Sequence, residues 1–159
     1  MLPHPSGFTL LELLITIIIV GILSAIAIPS FLGQIARARS TEAKSIHGTI
    51  LRAQQAYRVE RGSFAGSLSD LDVKVSNSKN FSYGILENSP LHAIHTTTRD
   101  GDDLLDYASG IVLQNNGVFG TVLCEGDTPG NSRSGTGFAV VRYNSGTSTV
   151  HCQNGKKIE

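Results

Sequence analysis

The chain carries no net charge, and basic residues are missing where a simple targeting signal would need them. Thirteen Lys and Arg balance thirteen Asp and Glu, for a formal net charge of zero. That excludes a domain built to bind nucleic acid through a strong basic bias. No Lys or Arg stands in the first seven residues, and Glu12 is the only acid between Phe8 and Phe31. No phosphate loop or dinucleotide fingerprint occurs, so nucleotide chemistry has no support. Cysteine is scarce. Cys124 and Cys152 are the only two, and their separation of 28 (152 − 124) fits no close-spaced metal pair.

Apolar sequence is what the chain has in quantity, concentrated before residue 32. Phe8 to Phe31 covers about 24 residues, about 15 of them Leu, Ile, Val or Phe, and roughly 20 suffice to cross the hydrocarbon core. At about −0.3 to −0.6 kcal/mol each, these side chains total near −7, more than enough to offset one Glu near the end of the segment. An acid at that place is still expensive and needs a reason. Ala25-Ile26-Ala27 could serve as a secretory cleavage site. But the basic start is missing, the apolar core exceeds roughly 7–15 residues, and Glu12 sits inside it. A plain single-span anchor explains the apolar run but neither Gly7-Phe8 nor Glu12.

The stretch Ser6-Gly7-Phe8-Thr9-Leu10-Leu11-Glu12 closely resembles the processing site of type IV prepilins, and Leu13 to Phe31 resembles their N-terminal helix. The likeness is specific from Gly7 to about Ala43 and fades afterwards. The leader departs from the family habit in lacking Lys or Arg. The resemblance implies three segments: a leader over 1–7, a transmembrane and assembly helix over 8–35, and a globular head over 36–159 that includes the amphipathic half of the helix. It implies cleavage after Gly7 by a prepilin peptidase/methyltransferase, N-methylation of Phe8, and polymerisation through the N-terminal helix into a type IV pilus used for adhesion, twitching motility or DNA uptake. Glu12 and Pro29 are the assembly residues it points to. The implied partners are identical or related pilin subunits, the inner-membrane assembly machinery and the lipid bilayer. No cofactor is implied. The subunit would sit in the inner membrane by a single pass before assembly, and in an extracellular pilus or a periplasmic pseudopilus afterwards. A pseudopilin of a type II secretion system is the alternative within this architecture. A membrane-anchored binding domain that never polymerises is the alternative outside it. Arg37 and Arg39 lie just past the span, and a positive-inside count alone would put the head in the cytoplasm. The processing motif and the cysteines argue for the other side.

In an exported chain an even cysteine count reads as a disulfide, here Cys124–Cys152, with two buried free thiols as the alternative. Such a loop stabilises by roughly 3–4 kcal/mol in the chain-entropy model. A bridged Cys152 leaves His151 no thiol to activate, and the chain reads as no enzyme. His92 and His95, followed by Asp100, Asp102 and Asp103, read as a solvated polar loop rather than a metal site, because no further ligand motif completes the set. Asp100-Gly101-Asp102-Asp103 lacks the full spacing and closing Glu of a calcium loop, and calcium binding there stays as the alternative that the resemblance to pseudopilins implies. Lys156 and Lys157 read as a solvated basic tail, with a DNA contact as the functional alternative.

Apolar periodicity continues past the membrane run through Ala36, Ala43, Ile46, Ile50, Ala53 and Tyr57, one face of a helix. Arg37, Arg39, Glu42, Lys44, Arg52 and Arg58 populate the other faces. One helix from near Phe8 to about Glu60 is expected, close to ~80 Å long at 1.5 Å per residue, with Gly62 as its stop. Pro29 removes a backbone hydrogen bond and should bend it. In the resembling family a proline at this place bounds a segment that can lose helicity in the filament. A surface loop is expected over Gly62 to Leu71. Strands are expected over Phe81–Leu86, Gly110–Leu113, Val118–Cys124, Phe138–Tyr143 and Thr147–Cys152, with hairpin turns at Asn115-Asn116-Gly117 and Asn144-Ser145-Gly146. Asp127 to Thr136 reads as a loop. The result is an α+β fold: a long N-terminal helix, transmembrane in its first half, packed against a small antiparallel sheet, as in pilins. A looser resemblance, to cyanobacterial-type pilins, rests on Tyr57 to Leu71 and on Cys124-Glu125.

Overall fold

The structure is a computed structural model that describes residues 7–101, 104–127 and 139–158. One helix, α1, runs over Leu10–Arg61. Thr9 opens it: its hydroxyl accepts from the Glu12 amide at 3.2 Å and its carbonyl from the Leu13 amide at 3.2 Å. Thr-x-x-Glu is the sequence of a capping box. Gly62 closes it with a φ of 77°, a left-handed conformation, and its amide bonds to the Arg58 carbonyl at 3.0 Å. The chain divides into two units, Met1–Arg37 and Ala38–Glu159.

Seven strands follow among the described residues of the head: β1 (Phe81–Asn88), β2 (His92–Arg99), β3 (Tyr107–Leu113), β4 (Phe119–Glu125), β5 (Val140–Asn144), β6 (Thr149–Asn154) and β7 (Lys156–Ile158). Five form an antiparallel sheet in the order β1-β2-β3-β4-β7, and β5 pairs with β6 in a separate ribbon. Residues 38–61 of α1 cover one face of the five-stranded sheet, with Ala43 and Ile50 packed among Phe81, Tyr83 and Tyr107, and Leu51 packed against Ala93 and Ile111. The ribbon covers the opposite face, where Val141 and Val150 meet Ile94, Ala108 and Val122. Gly110 on β3 permits that approach, since a Cβ there would stand 2.5 Å from Val141 Cγ1.

Both expected hairpin turns form. Gln114 and Val118 close the first, with Gly117 at a φ of 79°. In the second, the Asn144 side-chain oxygen accepts from the Gly146 and Thr147 amides. Other expectations need correction. His92 and His95 are not in a loop. They lie on β2, and both are buried. The Thr-rich run after them continues the strand because β1 and β3 pair with it on either side. Lys156 and Lys157 are exposed as expected, yet they form an edge strand along β4 rather than a tail. Lysines on an edge strand oppose pairing with other chains. The segment after Gly62 is not purely surface either. Phe64, Ala65 and Leu71 are buried, and Ser67 with Asp70 caps a short 3-10 turn over Leu68–Asp70. Phe138, most of the Asp127–Thr136 loop, and Asp102 and Asp103 lie outside the described residues.

Candidate assembly helix and the packing of its head

In the first unit every described side chain from Gly7 to Gln34 is exposed. Sixteen of these are large and apolar, from Phe8, 71% exposed, through Leu10, 88% exposed, to Phe31 and Leu32. Among the described residues this is the one helix long and apolar enough to cross a membrane. Full burial of such a side chain contributes about 1.5–3 kcal/mol, so sixteen left in water forgo on the order of 25–50 kcal/mol. Soluble proteins rarely expose a contiguous apolar surface of this size unless a membrane or another protein covers it. Glu12 lies in the first turn, where an acid favours the positive end of the helix dipole. Pro29 lies within the helix and is exposed.

In the second unit the helix is pinned to the sheet by particular pairs. Tyr107 Oη donates to Ser40 Oγ at 2.9 Å, and Asn80 Nδ2 to Glu42 Oε2 at 3.3 Å. Lys44 Nζ sits 3.1 Å from Glu125 Oε2 and over the Tyr107 ring. Arg58 Nε donates to the Pro90 carbonyl at 3.2 Å. The apolar periodicity placed Ala43, Ile46, Ile50, Ala53 and Tyr57 correctly on the packed face, whereas Ala36 is exposed. It missed two polar residues at the centre of that face, His47 and Gln54, both fully buried. Neither gave an apolar signal, and their partners lie 62 and 41 residues away.

Those partners form a hydrogen-bonded chain. His47 Nδ1 is 2.8 Å from Ser109 Oγ, Ser109 Oγ is 3.4 Å from His95 Nδ1, and His95 Nε2 is 3.2 Å from Gln54 Nε2. Gln54 also donates to the Ala65 carbonyl and accepts from the Ala65 amide. Burial, with the His95 charge as a lesser cause, pushes the His47 pKa down to about 3. Burial pushes His95 down to about 4, against a hydrogen bond to the Ser109 backbone that raises it. His92 points to the other face, as a three-residue spacing on a strand requires. It stacks on Tyr143 at 4.1 Å and bonds Ser89 and Glu87. The two histidines therefore cannot share a metal ion, and no group of three candidate ligands occurs among the described residues. Arg99 and Asp106 form a buried pair at 3.2 Å, and burial raises the Asp106 pKa despite that guanidinium.

Cys124 on β4 and Cys152 on β6 are bonded to each other, with a Cα–Cα distance of 5.8 Å. Cys124 lies opposite Ala108 on the ribbon-facing side of the sheet, so the bond ties the ribbon to the sheet.

A long apolar N-terminal helix whose later half packs on an antiparallel, disulfide-tied head defines a pilin-like α+β fold. The type IV pilin-like G and H family matches residues 40–153, well over half of the chain, and the prokaryotic N-terminal methylation motif matches residues 3–28. The chain belongs to the type IV pilin-like family. It is 30% identical over 117 residues to the type IV major pilin protein PilA of Myxococcus xanthus, covering 74% of this chain and 51% of that one. It is 33% identical over 100 residues to the type IV major alpha-pilin of Moraxella bovis, covering 63% of this chain and 55% of the relative. It is 34% identical over 68 residues to the type IV wide pilus major component PilA4 of Thermus thermophilus, covering 43% and 52%. The chain thus spans about half the length of these curated relatives. No solved structure matches it. The relatives are named as pilus and fimbrial components, none of them as an enzyme.

Proposed function

We propose that this chain is a precursor whose mature form, beginning at Phe8, is a structural subunit of a type IV pilus. The segments are a leader over 1–7, an assembly helix over 8–35 and a head over 36–159. A prepilin peptidase cuts between Gly7 and Phe8 on the cytoplasmic side, and the new Phe8 amine is methylated. The supporting observation is the bare apolar surface from Phe8 to Leu32. A long apolar helix tied to a water-soluble head has two stable homes, the bilayer and a bundle of like helices with heads outside. Transfer from one to the other exposes no apolar surface to water. Head-to-tail contacts that do not close a ring generate a helical filament. The names of the relatives, pilus and fimbrial components, support the same reading.

Glu12 has a specific task in this scheme. Cleavage frees an α-amine with a reference pKa near ~8, and methylation keeps it cationic. Drawn into an apolar bundle, that charge is costly alone, and so is the Glu12 carboxylate. Pairing the Glu12 carboxylate of one subunit with the Phe8 amine of its neighbour relieves both and sets the axial register. Glu12→Ala should therefore insert and be cleaved, but form filaments poorly. Electron microscopy of sheared surface material, beside a blot of the membrane fraction, checks this. Abundant, well-ordered filaments made only of the Ala variant would contradict the pairing.

A further inference from the structure

The hydrogen-bonded chain between α1 and the sheet has only one consistent set of donors. Ala65 offers one N–H and one carbonyl to Gln54, which fixes the orientation of the Gln54 amide and aims its nitrogen at His95 Nε2. That ring nitrogen must accept, so neutral His95 carries its proton on Nδ1 and donates to Ser109 Oγ. Ser109 then donates to His47 Nδ1, which places the His47 proton on Nε2. Nε2 is buried and has no hydrogen-bond partner, and the His47 and Tyr83 rings meet in a T-shaped arrangement with centroids 5.9 Å apart. The reverse assignment for His47 leaves the Ser109 hydroxyl proton unused as well as Nε2.

This arrangement has no place for another proton. At His95 Nε2 a proton would face the Gln54 N–H, which Ala65 holds in place. At His47 Nδ1 it would turn Ser109 into a double acceptor and strand the hydroxyl proton. We propose that the Gln54–His95–Ser109–His47 chain is an acid-sensitive latch, and that proton uptake releases the helix segment around Gln54, with the Ala65 loop, from β2 and β3.

The surroundings offer an added charge little compensation beyond the Ser109 backbone, whose hydrogen bond to His95 is outweighed by burial. From α1, Glu42 and Lys44 are engaged with Asn80 and Glu125, and Arg58 with the Pro90 carbonyl. From β1 comes Tyr83, whose buried hydroxyl is neutral, pushed up to about 12 by burial and then by Glu42. From β2 comes Thr97, which holds the Tyr107 backbone, and from β3 come Tyr107 and Ser109. Arg99 and Asp106 pair with each other. The loop contributes the Ala65 backbone. No carboxylate hydrogen-bonds to either imidazole among the described residues. Both histidines have lowered pKa values when docked and an ordinary value near 6.5 when released. The released state therefore binds more protons between these limits. The latch is fully closed above pH 6.5 and weakens as pH falls below it, by up to about tenfold per pH unit for each histidine.

The test uses the full chain in detergent micelles. Imidazole nitrogen NMR at pH 7 should show His95 protonated on Nδ1 and His47 on Nε2. Amide exchange at Ala65 and along 54–61, corrected for intrinsic chemistry, should quicken by about tenfold or more between pH 7 and 4.5. In the His47→Gln/His95→Gln double variant that acceleration should vanish. The proposal is overturned if the wild-type tautomers differ, if exchange stays flat to pH 4.5, or if the folded double variant keeps the full pH dependence. Should the variant fail to fold, the wild-type tautomers and exchange profile still decide.

Discussion

Two stretches of one helix have opposite relations to their surroundings. From Leu10 to Gln34 every side chain of the helix is exposed, the large apolar ones included. From Ala38 to Arg61 it is fixed by named partners: Ser40 to Tyr107, Glu42 to Asn80, Lys44 to Glu125, His47 to Ser109 and Gln54 to His95. The first stretch is specified by composition, since any one of its Leu or Ile residues could be exchanged for another without loss of apolar character. The second is specified residue by residue, since each partner needs a particular atom in place. Changes in the first stretch should act on membrane and filament while sparing the head. Changes in the second should act on the stability of the head.

The largest effect separates processing from folding. Gly7→Val places a branched side chain at the proposed scissile bond. It should leave the leader attached and abolish assembly while the head melts unchanged. A blot for mature-length chain checks the first part and thermal melting in micelles the second. Mature protein at normal levels would break the comparison at its N-terminal side. The next effect lies wholly in the head. Cys124→Ser should lose roughly 3–4 kcal/mol, a large share of a small domain's stability, because the bond ties the ribbon to the sheet. Denaturant unfolding of the full chain in micelles measures it, and unaltered stability would count against the bond as a main support. Smaller again, Gly110→Ala should cost about 1–3 kcal/mol by overpacking, since its Cβ would meet Val141 and Val150. The smallest is Lys44→Ala, at about 1 kcal/mol or less, because its pair with Glu125 is partly open to water. A loss as large as that of Cys124→Ser would show that this pin matters more than its exposure implies.

The same contrast explains what could be read from the residues alone. The apolar run from Phe8 and the closing Gly62 are local signals, and the helix bounds fell within a residue or two of them. Asn115-Asn116-Gly117 and Asn144-Ser145-Gly146 are local too, and both made turns. Strand β2 was hidden because its inward side is partly polar. His95 is acceptable there only because Ser109 and Gln54 meet it, and Thr97 because it bonds the Tyr107 backbone. Strand β7 was hidden because three residues carry no periodicity, and its pairing is decided by β4. Tertiary partners override propensity at such places. His47 and Gln54 escaped notice for the same reason, since a polar residue on an apolar face declares its role only when its distant partner is known.

The central claim is that the apolar stretch leaves the membrane as the core of a filament after its leader is removed. Mass analysis of the chain's N-terminus, in parallel from membranes and from sheared surface material, tests it most directly. The account predicts surface filaments containing a chain that begins at Phe8 with one added methyl group, and the same processed form in the membrane pool. A chain in the membrane that keeps residues 1–7, with none in the sheared fraction, would contradict it.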